Sequence, residues 1–451
     1  MLSEPVIILG EPPQAGLARP AGRSGHVSTA PAMSVEIATP ERFFTIEREW
    51  RDLTGRALAG NAFMEPSLVA AAAHADGVRV HVLLAWASLR PGEPIRLAGA
   101  WAFACRHPSS DIPVQVLKTP VHGHAGLGIP VLDAGLAAAV LAQMLDAVAE
   151  EPDLPKLIEI NGFDGEGPVA SLLMDELARR GSRHVELERR CRPQLVKGVA
   201  EAAPLSASRE RALRQKRRRL ARSGQLSCTV HCTQDEVHAA LDEFLALEVA
   251  GWKGKAIERG HAIRRELALE AFFGPALDGL AAHGLVRITA LRSDGRPVAM
   301  QVTIRSGATA FTWKSTYDEA RRDCGPGLLL LQDVTAALLA DPAIGAVDSC
   351  NHRDDGYMAE FWSGRKPVLD MVLDVRRGRT LGFSLLSSSE FARQWLKAEA
   401  RRVHKALRVA TGRVSSAIRS LKRGEAGSGQ TQVAPPGAAQ SRDQTSGRLP
   451  R

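Results

Sequence analysis

The loop Arg322-Asp-Cys-Gly-Pro-Gly327 is the segment whose residue types point most directly to chemistry. It lies between a strand-like run, Ala308–Tyr317, and an apolar helical run, Leu328–Ala340. Glycines at the start of a helix let the backbone turn unpaired N–H groups toward an anion, so the loop reads as a cradle for a pyrophosphate. It lacks the Lys-Ser/Thr ending of a P-loop and departs from the dinucleotide glycine fingerprint. The bland alternative is a tight turn without a ligand. Other constellations are weaker. Cys228-x-x-x-Cys232 with His231 resembles half a metal site, but no second ligand pair follows at usable spacing. His122-Gly-His124 has neither an acid nor a cysteine nearby, which is a poor ligand set. No metal is expected. The chain has no Gly-x-Ser-x-Gly elbow, which argues against a serine hydrolase of that kind.

The elements that must position the loop alternate between helical and strand periodicity. In a first segment, 34–200, helices are expected over Pro40–Ala59, Pro66–Ala75, Leu136–Ala149 and Pro168–Arg180, the last closed by Gly181. Strands are expected at Val78–Trp86, Ile95–Ala104, Val114–Leu117, Leu157–Ile160 and His184–Glu188. A second segment, 201–380, repeats that order loosely. A very basic helix, Ser206–Ser223, precedes a strand at Gln225–His231. Thr233 and Glu236 then form a capping-box pattern at the head of Thr233–Gly251, and Arg264–His283 is a further helix. Leu285–Arg292 and Pro297–Arg305 are joined by Ser-Asp-Gly-Arg, a hairpin signal. Ala346–Cys350 and Lys366–Val375 complete the segment. The fold class expected is α/β: two tandem units, each a mixed, mostly antiparallel sheet flanked by helices. Only the second carries the phosphate-type loop.

The chain has 451 residues, 45% hydrophobic and 24% charged, which is globular composition with room for more than one domain. Residues 1–33 and 424–451, rich in Pro, Gly, Ser, Ala and Gln, are expected to be a disordered leader and tail. The net charge of +8 is concentrated in Arg209–Arg222 and Arg393–Arg423. Such runs suit anionic partners or are simply solvated helix faces. Six scattered cysteines form no framework and indicate a reducing, cytoplasmic compartment. No secretory signal or membrane-spanning run is apparent. The segment 381–423, with Phe391, Trp395, Leu396, Val403 and Leu407 among arginines, reads as a basic amphipathic helix suited to peripheral contact with an anionic membrane at its inner face or to a protein partner.

A family resemblance gathers these observations. Strand, Arg-x-x-Gly-x-Gly and helix resemble the acyl-CoA element of the GNAT acyltransferases, with Arg322, Gly325 and Gly327 filling the pattern. Leu241-Asp-Glu-Phe-Leu-Ala-Leu-Glu-Val-Ala-Gly-Trp-Lys-Gly254, Trp313-Lys-Ser-Thr-Tyr-Asp-Glu319, Glu49-Trp-Arg-Asp-Leu53 and the run from His122 to Asp133 resemble the CelD-type, FemAB-like branch, over roughly residues 35–378. The resemblance implies acetyl-CoA or another acyl-CoA as co-substrate and direct attack of an amine on its thioester. Arg322, Asp323, Cys324, Gly325, Pro326, Gly327 and Leu328 would surround the pyrophosphate, the N–H groups from Cys324 to Leu328 serving as donors except at Pro326. The base would be Asp348, which interrupts a buried strand, with Asp318, Glu319 and Glu360 as alternatives; Asp348 could equally cap the adjacent loop. Tyr357 would protonate the leaving thiolate, or be a core aromatic. Trp252-Lys253 and Trp313-Lys314 would wall the acceptor site, with ordinary core packing as the alternative for the tryptophans. His122 and His124 would belong to the acceptor pocket.

The function expected is therefore acyl-CoA-dependent N-acylation of a small-molecule amine or amino sugar of an envelope or polysaccharide precursor. Two rivals stand beside it. One is a FemAB-like aminoacyltransferase using charged tRNA, with Arg209–Arg222 on RNA phosphates, although nucleic acid is not the expected partner. The other is a non-catalytic adaptor of a polysaccharide-synthesis complex.

Overall fold

In the computed structural model the described residues are 6–8, 33–88, 93–108, 114–199, 205–255, 262–352, 354, 356–378 and 380–389, with the single positions 392 and 399. Most of the expected leader, the whole tail and most of the C-terminal basic helix lie outside them. The described residues up to Ser388 make one compact unit.

Local sequence rules set most elements. Thr39 caps α1 (Pro40–Thr45), accepting a hydrogen bond from the Arg42 N–H, and Pro40 occupies the first turn. The expected helix over Pro40–Ala59 breaks at Ile46, from which α2 (Glu47–Gly55) starts afresh. The break lets Phe43 and Trp50 meet edge to face at 5.1 Å. α3 (Pro66–Asp76) ends on Gly77 in the left-handed conformation.

The first repeat continues through β3 (Val80–Ala87), β4 (Arg96–Arg106), β5 (Val116–Thr119), the short β6 (Val131–Leu132), α4 (Ala137–Glu150), β7 (Leu157–Asp164), α5 (Pro168–Arg180) and β8 (Ser182–Val196). It begins with β2 (Met33–Ala38), and β1 (Val6–Ile8) pairs antiparallel with β2. The expectation of a wholly disordered leader is therefore corrected at Val6–Ile8, whose backbone groups find a sheet edge.

The second repeat runs α6 (Ala207–Ala221), β9 (Leu226–His231), α7 (Gln234–Ala250), α8 (Leu267–Ala282), β10 (Val286–Ser293), β11 (Arg296–Ser306), β12 (Thr309–Tyr317), α9 (Pro326–Ala340), β13 (Ala346–Asp348), α10 (Tyr357–Phe361) and β14 (Gly364–Arg377). Glu236 accepts hydrogen bonds from the N–H groups of Cys232 and Thr233 at 3.1 Å each, closing the head of α7. Asp294 and Gly295, both at positive φ, turn β10 into β11.

The described strands form one 14-stranded sheet, ordered β1-β2-β3-β4-β5-β7-β14-β8-β13-β12-β11-β10-β9 with β6 beside β4. The order is symmetric about the β14–β8 pair, the two repeats running outward in matching sequence. Two contacts are parallel, β5 with β7 and β12 with β13, one in each repeat. The last strands are exchanged: β8 of the first repeat pairs with β13 of the second, and β14 of the second pairs with β7 of the first. Two separate sheets were expected; the exchange fuses them, because each repeat's parallel strand is completed by the other's terminal strand.

One hydrophobic core spans both repeats. At its centre Phe63 of the first repeat packs edge to face on Phe311 and Trp313 of the second, at 5.4 and 6.0 Å. Burying each such ring contributes about 1.5–3 kcal/mol. A second core lies between α6, α9 and the sheet beneath them, around Leu213, Leu220, Leu329, Leu330 and Trp362.

Candidate active site

The phosphate-type loop stands at the head of α9. Asp318 to Cys324 forms a short 3-10 turn ending on Gly325, which takes φ 59° and ψ 50° and directs the chain into Pro326. Only glycine adopts that conformation at little cost. The Gly325 N–H donates to the Arg322 carbonyl at 2.9 Å, and the Leu328 N–H to the Gly325 carbonyl at 3.1 Å. With these two N–H groups engaged, the cradle is narrower than the expected run from Cys324 to Leu328. The Gly327 N–H has no backbone partner among the described residues. A Cβ at Gly327 would touch the Tyr317 ring at 3.4 Å, and one at Gly325 would lie 3.3 Å from Lys216 Cδ. Lys216, on α6, donates to the Asp323 carbonyl at 3.3 Å and places an ammonium beside the loop. These features fit a pyrophosphate: a bare helix start, a free N–H and a cation brought over from α6.

The other loop residues take distinct places. Arg322 and Asp323 are exposed, Cys324 and Leu328 pack against the second core, and Pro326 is buried. Arg321 fastens the loop, its guanidinium donating to Ser223 Oγ at 2.5 Å. Asp318, an expected alternative base, instead caps the turn, accepting from the Ala320 N–H at 3.0 Å with Arg321 3.4 Å away.

Ahead of the loop, β12 and β13 part. They pair from Thr309–Ala346 to Phe311–Asp348, where β13 ends while β12 continues to Tyr317. Trp313 is an extra residue in β12 opposite β11, since Val302 pairs with Lys314 and Thr303 with Thr312. This bulge twists β12 away from its neighbour. Thr312 closes the point of divergence by donating its hydroxyl to the Ser349 carbonyl at 3.2 Å.

Asp348 occupies that point but is engaged. It is 2% exposed, and its Oδ2 lies 2.5 Å from Arg192 on β8 and 3.2 Å from Lys366 on β14. Its Oδ1 accepts from the Cys350 N–H at 2.9 Å. Burial works to raise the carboxyl's pKa, but the charges of Arg192 and Lys366 outweigh it and hold the group below the ordinary carboxylate value. An acid held ionised by two cations has little proton affinity, so this geometry suits a strut better than a base. Arg192 also donates to the Gly126 carbonyl at 2.8 Å, tying the exchanged strand to the His122–Gly126 loop. Glu360 pairs with Arg209, and Tyr357 is exposed at the start of α10.

The tryptophan–lysine pairs divide. The Trp252 side chain lies outside the described residues. Lys253 is anchored, donating to Glu248 Oε1 at 3.0 Å and the Ser315 carbonyl at 2.9 Å. Trp313 is buried, its indole N–H donating to the His124 carbonyl at 2.7 Å, so it is core rather than an open wall. Lys314 reaches across the repeats, its Nζ 2.6 Å from His124 Nδ1. Burial and the neighbouring Lys253 charge bring its pKa down to about 8, against the opposing pull of Glu248. Burial likewise lowers His122, whose ring stacks on Phe272 at 3.8 Å. Sequence reasoning singled out His122, His124 and Lys314 without their pairing, and missed Arg192, Lys366 and Lys216. No local pattern marks those three residues; long-range strand exchange and helix packing bring them in.

No group of three or more His, Cys, Asp or Glu able to hold a metal occurs among the described residues. No helix among them is long and apolar enough to cross a membrane.

Strand, glycine turn, helix and parallel strand, with a bulge and a divergence between the two strands, define an acyltransferase fold of the GNAT kind. Residues 207–352 match the family model for the GNAT acetyltransferase domain. That segment is a GNAT acetyltransferase domain, and the chain that carries it is a transferase. Among solved structures it is similar to FemX, at 10% identity over 76% of this chain and 98% of that one, with a TM-score of 0.49. It is also similar to a tandem GNAT protein from the clavulanic acid biosynthesis pathway, at 13% identity over 77% and 100%, with a TM-score of 0.40. A third likeness is to the C-terminal domain of a protein from Agrobacterium fabrum described as a lysylphosphatidylglycerol synthetase, at 14% identity over 76% and 96%, with a TM-score of 0.46. No curated protein matches the sequence significantly.

Proposed function

We propose that the protein transfers an acyl group from acyl-CoA, acetyl-CoA being the first candidate, to an amine of an envelope or polysaccharide precursor. The observation that carries this reading is the divergence of β12 from β13 directly before a glycine turn at the head of α9. Acyl-CoA would supply the activated thioester. The Gly327 N–H and Lys216 would hold its pyrophosphate, and Gly325 would give the turn its shape. The acceptor would enter between the repeats, where the His122–Gly126 loop faces β12. That loop follows β5, as the glycine loop follows β12, so it is the first repeat's counterpart of the phosphate loop, turned to the acceptor side. Tyr357 stands as the candidate donor to the thiolate. The C-terminal basic segment would contact anionic lipid, which a liposome assay on a chain ending near residue 379 tests: unchanged binding sinks it.

The donor is tested by thermal shift. Acetyl-CoA should raise the melting temperature of the wild type and not of Gly325→Glu, which places a carboxylate where phosphate would sit. No shift with any acyl-CoA overturns the reading. One observation favours the aminoacyl-tRNA rival: Arg211, Arg218 and Arg222 are exposed on α6 and its C-terminal end, beside the loop. Salt-dependent tRNA binding without a response to acyl-CoA would select it.

A further inference from the structure

We infer that Lys314 and His124 form the proton acceptor for the incoming amine, a base assembled from one residue of each repeat. The inference rests on the acyltransfer reading above and concerns the acceptor side of that site. Its geometric basis is the 2.6 Å contact between Lys314 Nζ and His124 Nδ1. At that distance the two nitrogens share one proton: a charged Lys314 donates to Nδ1, and a neutral one accepts from an Nδ1–H. Both residues are half-buried and Gly123 beside them is exposed, so the pair is not sealed from solvent.

The surroundings disfavour a charged Lys314. Burial is the main cause, and it outweighs the cation–π contact with Phe273 of α8, whose ring centroid lies 5.5 Å from Nζ. Lys253 adds a second positive charge, but Glu248 is already committed to it at 3.0 Å. From the other side come His122, whose ring stacks 5.5 Å from that of His124, and Cys350, just past the end of β13. His122 in turn faces Asp76 at 4.0 Å, and Arg106 pairs with the same Asp76. No carboxylate among the described residues forms an ion pair with Lys314. A half-buried lysine without an ion-paired acid, joined to a histidine, gives up its proton more readily than an ordinary lysine, so a neutral fraction is available near pH 8.

Position suits the role. Lys314 follows the bulged Trp313, where β12 has left β13, so it stands at the mouth of the divergence. Trp313 fixes His124 by donating to its carbonyl at 2.7 Å, and the adjacent His124 N–H donates to His122 Nδ1 at 3.2 Å. The proton balance is simple. The acceptor ammonium loses one proton to the neutral pair, its N–H bond breaking as a new one forms on the pair. The freed lone pair makes the C–N bond to the acyl carbon. The C–S bond breaks, and the second amine proton leaves with the thiolate sulfur as a thiol. Asp348, locked between Arg192 and Lys366, is not needed.

The test uses the intact wild-type chain and needs no knowledge of the natural acceptor. Lysines are labelled competitively with a trace of acetic anhydride from about pH 6 to 11, and the peptide holding Lys314 is followed by mass spectrometry. Lys314 should titrate near 8 rather than at the ordinary 10.5. In His124→Gln its midpoint should move by roughly half a unit or more, since the shared proton is lost. A wild-type midpoint near 10.5, or one indifferent to His124→Gln, overturns the inference. In a second arm, thiol release from acetyl-CoA is measured with glucosamine as the probe amine. Lys314→Met and Lys314→Arg should both lower kcat/KM by about 100-fold or more and abolish the limb rising through pH 8, while the acetyl-CoA thermal shift persists. Recovery of the rate by Lys314→Arg would mean that charge alone matters and would overturn the base role. Loss of the acetyl-CoA shift in the wild type would sink the donor reading without touching the labelling result.

Discussion

Replacing Asp348 by asparagine removes one charge from a nearly closed set of four. Asp348 and Asp164 face Arg192 and Lys366, with ion pairs of 2.5 Å from Arg192 to Asp348, 3.2 Å from Lys366 to Asp348 and 2.9 Å from Lys366 to Asp164. Arg192 and Asp348 are 3% and 2% exposed, so bulk solvent cannot screen the charge left behind. Breaking one partner of a buried pair costs about 3–5 kcal/mol. Asparagine keeps an oxygen able to accept from the Cys350 N–H, so the lower end, about 3 kcal/mol, is expected. The assay is urea unfolding followed by tryptophan fluorescence, where the midpoint should fall by roughly 1 M. The pH sign follows from the depressed carboxyl. Its stabilisation is present above the unfolded value of 3.8 and is lost as pH falls through the lower folded value, so the wild type should lose an increment on acidification that the variant lacks. A double change, Asp348→Leu with Arg192→Met, should be milder than Asp348→Ala alone, because no unpaired charge remains. Asp348→Asn that unfolds like the wild type yet no longer acylates amines would refute the strut and restore the catalytic reading.

Three further outcomes are expected. Cys350, whose thiol packs under Gly126 and is pushed up to about 12 by burial and the Asp348 charge, should resist alkylation in the native protein, while exposed Cys191 reacts; peptide mapping after brief iodoacetamide treatment decides it. Gly60→Ala would bring a Cβ within 2.6 Å of the Ser306 carbonyl oxygen, where the two repeats touch, and should cost about 1–3 kcal/mol in urea unfolding; an unchanged midpoint would contradict this close approach. Truncation after Ser363 removes β14, which pairs with β7 as well as β8. The shortened chain should lose cooperative unfolding in both repeats, and a dispersed NMR spectrum from a fragment covering 33–199 would contradict the strand exchange.

Much of the site's scaffold is legible residue by residue. The Asp294-Gly295 hairpin, the Thr233–Glu236 cap, the Gly181 stop and the glycine turn before α9 are decided by neighbours within a few positions, through φ preferences and backbone hydrogen bonds. β8 is less legible. Only His184–Glu188 was expected of a strand that runs Ser182–Val196, because its many charged residues look like a surface segment until partners on both sides claim its backbone. Asp348 shows the same limit. Its type and its buried strand invite a base, but Arg192 lies 156 residues away in sequence and turns it into half of an ion pair.

A glycine turn joining a strand to a helix, and two similar α/β units in tandem, can be read from the chain without its fold. Both depend on local rules of turns, caps and periodicity. The shared sheet with its exchanged terminal strands, and the meeting of His124 with Lys314 across 190 residues, arise only on folding. Strand exchange depends on which edges remain unpaired once each repeat has formed, and a lysine's proton affinity depends on the burial and charges that assembly creates around it. Neither quantity exists in the chain until the two repeats close on each other.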